Sequence, residues 1–269
     1  MSKTGLSGHL AIPLLALSLG AVVLTWLFLR ADAVAPQAHF DYSLELRRLR
    51  QADTELNAAV LANRFGLLSN FDPLVAQDQS IRRSLDAAAR LPTYLSAADR
   101  QRVLKNLDTL RALQEQKTDM IDRFKRENSV LRNSLNYLPG AAEQLLASRN
   151  GDIPGGLDRF VRQLLAFTRN PDGDRADALE QMRQKLLTIR LAGDGGKAVA
   201  NVLRHGQMIL RWQLSVDRLT REIMHLPTAD AQEALVEAYS QGHERAQATA
   251  TRYRTLLYLA ALLLVVSRD

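Results

Sequence analysis

Twenty consecutive residues without a charge, Leu10 to Leu29 (LAIPLLALSLGAVVLTWLFL), constrain this chain more than any other stretch. At 1.5 Å per residue a helix of that length covers about 30 Å, the hydrocarbon thickness of a bilayer. Arg30 follows directly, where an interfacial cation can extend its head to water. The run therefore reads as an uncleaved membrane anchor. A cleaved secretory signal is the competing reading, because Ala31-Asp32-Ala33 fits a small-x-small cleavage pattern. Against it, signal apolar regions usually run only ~7–15 residues.

A second apolar run, Leu256 to Val266 (LLYLAALLLVV), stops three residues before Asp269. As helix it covers only ~17 Å, too short to span. The expectation is a second transmembrane helix of which the chain holds only the start, with Arg252 and Arg254 as its outer anchors. A buried C-terminal helix is the alternative. The implied organisation is a cytoplasmic tail (1–9), a first span (10–29), a first helical unit (30–138), a second unit with a return helix (139–254), and the start of the second span (255–269). The short tail and long polar loop put the tail inside and the loop outside, which for a bacterium means an inner-membrane protein with a periplasmic domain.

Composition excludes several classes. A chain with 46% hydrophobic residues and only 14 Gly and 8 Pro in 269 is no disordered or fibrous protein. Without cysteine it can hold no disulfide, thiolate metal site or cysteine nucleophile. Lys and Arg exceed Asp and Glu by 35 to 29, but without basic runs or interleaved aromatics, so nucleic acid is not an expected partner.

Between the spans, apolar residues recur at three- and four-residue steps rather than alternating, which predicts an all-α fold. One helix is expected from about Phe40 to Asn70. Asp72-Pro73 restarts the chain as N-cap and first helical residue, and the next helix stops before Pro92. The clearest helix opens at Ser96, with Asp99 placed at N3, and carries Val103, Leu107, Leu110, Ile121, Phe124, Leu131, Leu135 and Leu138 on one stripe up to Pro139. Gln114, Lys117 and Asn128 fall on that stripe too. Breaks follow at Gly151–Gly156, at Asn170-Pro171-Asp172-Gly173 and at 192–196, and another helix runs from about Ala198 to Leu226. The last helix opens near Thr228, and its stripe (Leu235, Tyr239, Ala246, Ala250, Tyr253, Leu257) enters the second apolar run without interruption. Asn136-Tyr137-Leu138-Pro139 and Met224-His225-Leu226-Pro227 end two long helices alike, as a stacked pair of helical units would. Common helix-stop chemistry accounts for the echo equally well.

No catalytic, metal or cofactor site is expected. His9, His39, His205, His225 and His243 form no metal-spaced pair, and no phosphate loop, nucleophile elbow or zinc-protease motif occurs. His243-Glu244-Arg245 superficially resembles a kinase phosphoacceptor box, but reads as a solvated or core histidine.

Two segments are more polar than a bundle core requires: Asn63-Arg64-Phe65-Gly66-Leu67-Leu68-Ser69-Asn70-Phe71-Asp72-Pro73-Leu74, and Phe124 to Leu135 (FKRENSVLRNSL). An unpaired amide on an apolar stripe costs about 1–3 kcal/mol. Such residues either pair and fix helix register, or line a site between helices. Arg64, Asn70, Asn128 and Asn133 are the candidate ligand-binding residues, suited to a small polar or anionic ligand.

These same segments resemble the all-helical periplasmic sensor region, the double all-helical ligand-binding (DAHL) domain, of VirA-like membrane sensor kinases. The family stretches R-x-G-L-L-x-N-[YF]-D-P-L and F-K-x-x-N-x-x-L-R-N-S-L match Arg64–Leu74 and Phe124–Leu135 in the right order. The resemblance covers about residues 30–255 and implies two stacked helical bundles between two transmembrane helices. It also implies a sensor histidine kinase of a two-component system whose catalytic part this chain does not contain. The expected partners are the membrane, an unknown small ligand or periplasmic binding protein, and a second copy meeting along Ala246–Ala250–Tyr253. A ligand-free envelope scaffold, or the sensor of a chemoreceptor or cyclase, is the alternative.

Overall fold

A computed structural model describes residues 7–147, 155–189 and 193–266. Among them are eight helices and no strand: α1 Ser7–Ala31, α2 Pro36–Arg64, α3 Asp72–Ala88, α4 Ala97–Ala147, α5 Leu157–Arg169, α6 Gly173–Leu187, α7 Gly193–His225 and α8 Thr228–Val266. The all-α expectation holds, with an apolar helix at either end of the helical core.

The chain forms two compact units. Unit 1 comprises residues 1–51, 80–111 and 228–269, and unit 2 comprises 52–79 and 112–227. Each unit is thus assembled from non-contiguous stretches of the chain. Helices α2, α3 and α4 each contribute to both, which a reading in chain order does not reveal.

In unit 1, α1 packs along α8. Leu27 and Ala31 are buried, the rings of Trp26 and Tyr253 meet edge-on at 5.4 Å, and an Arg254 Nη donates to the Ala31 carbonyl at 3.4 Å. Much of the described apolar surface of the pair is bare. Leu19, Val22 and Phe28 on α1, and Leu259, Leu262, Leu263 and Val265 on α8, are each more than half exposed. The second apolar run is therefore not a buried core helix. An apolar surface this continuous calls for an apolar solvent or a partner, and both helices are long and apolar enough to cross a membrane.

Helix ends follow local chemistry, with four departures from expectation. α2 stops at Arg64, six residues before Asn70, because Gly66 takes φ 71° and closes a Schellman turn: Leu67 N–H donates to Ala62 O at 2.8 Å and Gly66 N–H to Asn63 O at 3.2 Å. α3 starts one residue earlier than Asp72 as cap would have it, since the Phe71 carbonyl already accepts from the Val75 N–H. α4 does not stop at Pro139 but runs to Ala147. An interior proline costs about 3 kcal/mol; burial of Leu138, Ala142 and Leu145 on one face holds the helix through it. This also breaks the symmetry of the Pro139/Pro227 echo. Finally, α7 begins at Gly193 rather than near Ala198, so Gly195 and Gly196 are helical. Most of the 151–156 break, and residue 192, lie outside the described residues.

The Ser96 cap is as expected, its Oγ accepting the Asp99 N–H at 3.1 Å. At the 170–173 break Asp172 caps the start of α6, accepting the Arg175 N–H at 2.8 Å. In unit 2, α5 packs on α6 and α7 with Leu157, Phe160, Leu164 and Phe167 buried along one face.

Candidate functional site

Unit 2 contains a polar seam where the two sequence segments meet. Asn128 of α4 is fully buried, and its Nδ2 donates to the Asn63 carbonyl at 3.3 Å. That carbonyl is the one Gly66 N–H also uses, so Asn128 completes the cap of α2. Next in the chain, Arg64 points to α7, where its Nε donates to Asp217 Oδ1 at 2.5 Å and its Nη2 pairs with the same carboxylate. Gln213, one turn before Asp217, donates to Asp217 Oδ2 at 3.4 Å and to the Thr168 carbonyl at 3.2 Å. The seam ties α2, α4, α5 and α7 together. Three of its acceptors, Asn63 Oδ1, Asn128 Oδ1 and Gln213 Oε1, are buried without a hydrogen-bond donor among the described residues.

The four proposed ligand residues are not gathered in one place. Arg64 and Asn128 converge on consecutive residues of the seam. Asn70 is exposed, donating to Asp72 Oδ2 at 2.8 Å, and Asn133 is exposed on α4. Asp217, Gln213 and Thr168 lie more than 100 residues from Arg64, and no local pattern in the sequence links them to it.

A second polar layer of unit 2 is a buried ion pair. Lys117 Nζ lies 2.6 Å from Asp53 Oδ1, with the lysine fully buried and the aspartate nearly so. Beside it Thr118 donates to Asp78 at 2.7 Å. Lys117 was visible as a charge on an apolar stripe. Asp53 left the complementary sign, a carboxylate between Ala52 and the stripe residue Leu56.

In unit 1 a closed ring of four side chains sits on α8. His39 Nδ1 lies 2.9 Å from the Tyr239 hydroxyl, which lies 2.7 Å from the Tyr94 hydroxyl, which lies 3.2 Å from His243 Nδ1. The His243 ring then stacks on His39, centroids 3.8 Å apart and planes 13° off parallel. Three hydrogen bonds join two hydroxyls to two Nδ1 atoms, so a third proton is needed besides the two hydroxyl protons. One histidine therefore donates from Nδ1 and the other accepts. Burial pushes both phenols up, Tyr239 most strongly, and pushes the His243 imidazole down, with His39 adding to that shift. Tyr42 packs on Tyr239 and donates to the Ala88 carbonyl at 2.9 Å, binding α2 to α3. Below the ring, Gly242 lets α8 approach α4: a Cβ there would lie 3.0 Å from both Asp99 Cβ and Leu95 Cδ2. Asp99 holds Arg245 of α8 at 2.5 Å.

No group of three His, Asp or Glu among the described residues is placed to hold a metal. The described residues thus form a helical module with buried polar seams, and one helix leads from it into an exposed apolar run. The family model of the DAHL domain matches residues 34–254, and the chain belongs to that family, a helical sensor domain of signalling receptors. No curated protein and no solved structure matches the chain.

Proposed function

We propose that this chain is the extracytoplasmic sensor module of a bacterial inner-membrane receptor, with α1 as its anchor and α8 as its signalling helix. The observation that carries the reading is the continuity of α8. A single helix holds Tyr239 in the core of unit 1, with His243 beside it and Arg245 reaching Asp99, and continues to Val266 through an exposed apolar run. Displacement of the core is passed along it toward a cytoplasmic output, for which a histidine kinase of a two-component system is the proposed class.

Ligand or partner sensing is assigned to the Arg64–Asn128 seam. Its buried acceptor oxygens and the Arg64–Asp217 pair give two packings something to differ in, and a small polar or anionic ligand competing for Arg64 favours one of them. Asn70 and Asn133, at the surface, suit a protein partner such as a periplasmic binding protein. The Ala250–Tyr253 face packs on α1 of the same chain, so a homodimer pairing two copies engages a neighbouring face of α8.

Topology reporters test the placement. A periplasm-active phosphatase fused near Pro139 is expected to be active, and a fluorescent protein fused at Val266 to be bright, with the chain retained in membranes after alkaline washing. Release of residues 31–266 by osmotic shock contradicts the anchor and favours the cleaved signal. An active phosphatase at Val266 contradicts the second crossing.

A further inference from the structure

A cavity of about 440 Å³ opens in unit 1 where α1 ends against α8. Its polar lining includes Arg30, Tyr94, Ser96, Asp99, Arg245 and Thr249. The carboxylate is already committed: Asp99 is nearly buried, accepts from the Ser96 hydroxyl at 2.6 Å, and pairs with Arg245 and Arg102. The Ser96 bond, followed by Arg245, holds it below the usual carboxylate range. The cations are not committed to the same degree. Arg245 is half exposed and carries five N–H donors, of which Nη1 serves Asp99 and Nη2 serves Gln241 at 3.3 Å. Arg30 is exposed, and its guanidinium carbon stands 5.7 Å from the Trp26 ring centroid; among the described residues it has no carboxylate partner. The lining therefore presents two guanidinium groups and one satisfied carboxylate, together with hydroxyls.

Depth selects the ligand. Trp26 and Tyr253 meet edge-on where the bare apolar surfaces of α1 and α8 give way to polar residues. Paired aromatics at such a boundary mark the headgroup level of a bilayer. The cavity, lined by Tyr253 on one side and Arg30 on the other, opens at that level.

We propose that this cavity binds the phosphate of a phospholipid headgroup from the surrounding bilayer, with Arg30 and Arg245 as its cationic contacts. The inference rests on the membrane reading given above. Guanidinium suits the site because its planar fork meets two phosphate oxygens at once. A bound headgroup touches Arg245 and Thr249 on α8 and Arg30 on α1, and so bears on the signalling helix directly.

The test uses the full chain in vesicles of phosphatidylcholine and phosphatidylglycerol. Flotation reads membrane insertion, and native mass spectrometry after transfer to mild detergent reads retained phospholipid. The expected result is that the chain floats and keeps a phospholipid. Retention falls about tenfold in Arg30→Gln and in Arg245→Gln, the scale of one charge-assisted contact. Arg30→Lys keeps the charge but not the fork and so recovers only part of it, and circular dichroism stays unchanged. A chain that floats but retains no phospholipid, or retains it equally in Arg30→Gln, overturns the proposal while leaving the membrane reading intact. Displacement of the lipid by inorganic phosphate overturns the lipid assignment in favour of a soluble phosphate. A chain that does not float overturns the membrane reading, and the headgroup site with it.

Discussion

His39 and His243, 204 positions apart in the chain, lie face to face with ring centroids 3.8 Å apart. Tyr239 and Tyr94 close the ring of hydrogen bonds between them, and α8 supplies two of the four members. Desolvation, and then the neighbouring His39, disfavour the cation on His243. Its folded pKa thus lies below the unfolded value of 6.5, and His205 in unit 2 is lowered likewise, by burial and then by Arg204. The unfolded chain binds these protons more readily, so their contribution to stability is complete above 6.5 and is lost as pH falls below it. The thermal midpoint is expected to drop between pH 7.5 and 5.5, and His243→Gln to flatten that slope. An unchanged slope in the variant would remove His243 from the account.

The Lys117–Asp53 pair makes an asymmetric prediction. Removing one partner strands a buried charge, so Lys117→Met is expected to cost about 3–5 kcal/mol in urea denaturation. The double change Asp53→Leu with Lys117→Met is expected to recover most of that loss, because neither charge is left alone in the core. Equal losses in the single and double variants would show that the pair contributes by packing rather than by charge.

Gly66 and Asn128 share the Asn63 carbonyl, from the turn side and from α4. Gly66→Ala puts a Cβ at φ 71°, a left-handed conformation costing about 1–2 kcal/mol. Asn128→Ala gives up one buried hydrogen bond, about 1–3 kcal/mol. Because both act on one helix end, the double variant is expected to lose less than the sum. Strict additivity would mean that the α2 cap and the seam are independent.

Gly206 of α7 faces Phe160 of α5, where a Cβ would lie 2.8 Å from two atoms of a fully buried ring. Alanine gains up to about 1 kcal/mol in helix propensity over glycine. Overpacking a filled core costs about 1–3 kcal/mol, and it outweighs that gain here because the ring has no room to withdraw. Gly206→Ala is therefore expected to lower the melting temperature; a rise would show that α5 yields.

What the sequence disclosed and what it hid divide along the range of the interaction. The Ser96 cap, the Pro227 stop and the α8 stripe are local patterns, and each stands where its residues put it. Gly66 was on the page, but its left-handed turn outranked the apolar positions beyond it and ended α2 early. Pro139 reads as a stop on local chemistry, whereas burial of Leu138 and Leu145 carries α4 through it. Arg64 and Asn128 stand out in the sequence as polar residues on or beside apolar stripes. Asp217 and Gln213 do not, since only tertiary packing brings α7 to them. The His39–His243 stack left no trace at all, because two lone histidines in separate helices look like solvated residues until the helices meet.

The central claim is that α8 acts as one rigid rod between the histidine–tyrosine ring and the apolar run. Its most direct test joins residues 1–266 to the cytoplasmic half of a well-characterised histidine kinase and inserts alanines into α8 after Thr251. Each added residue turns the downstream helix by about 100°, so two alanines rotate it by roughly half a turn and four return it close to its original phase. The account predicts that the two-alanine insertion shifts basal kinase output several-fold and that the four-alanine insertion restores it. Equal output from both insertions would contradict transmission along α8.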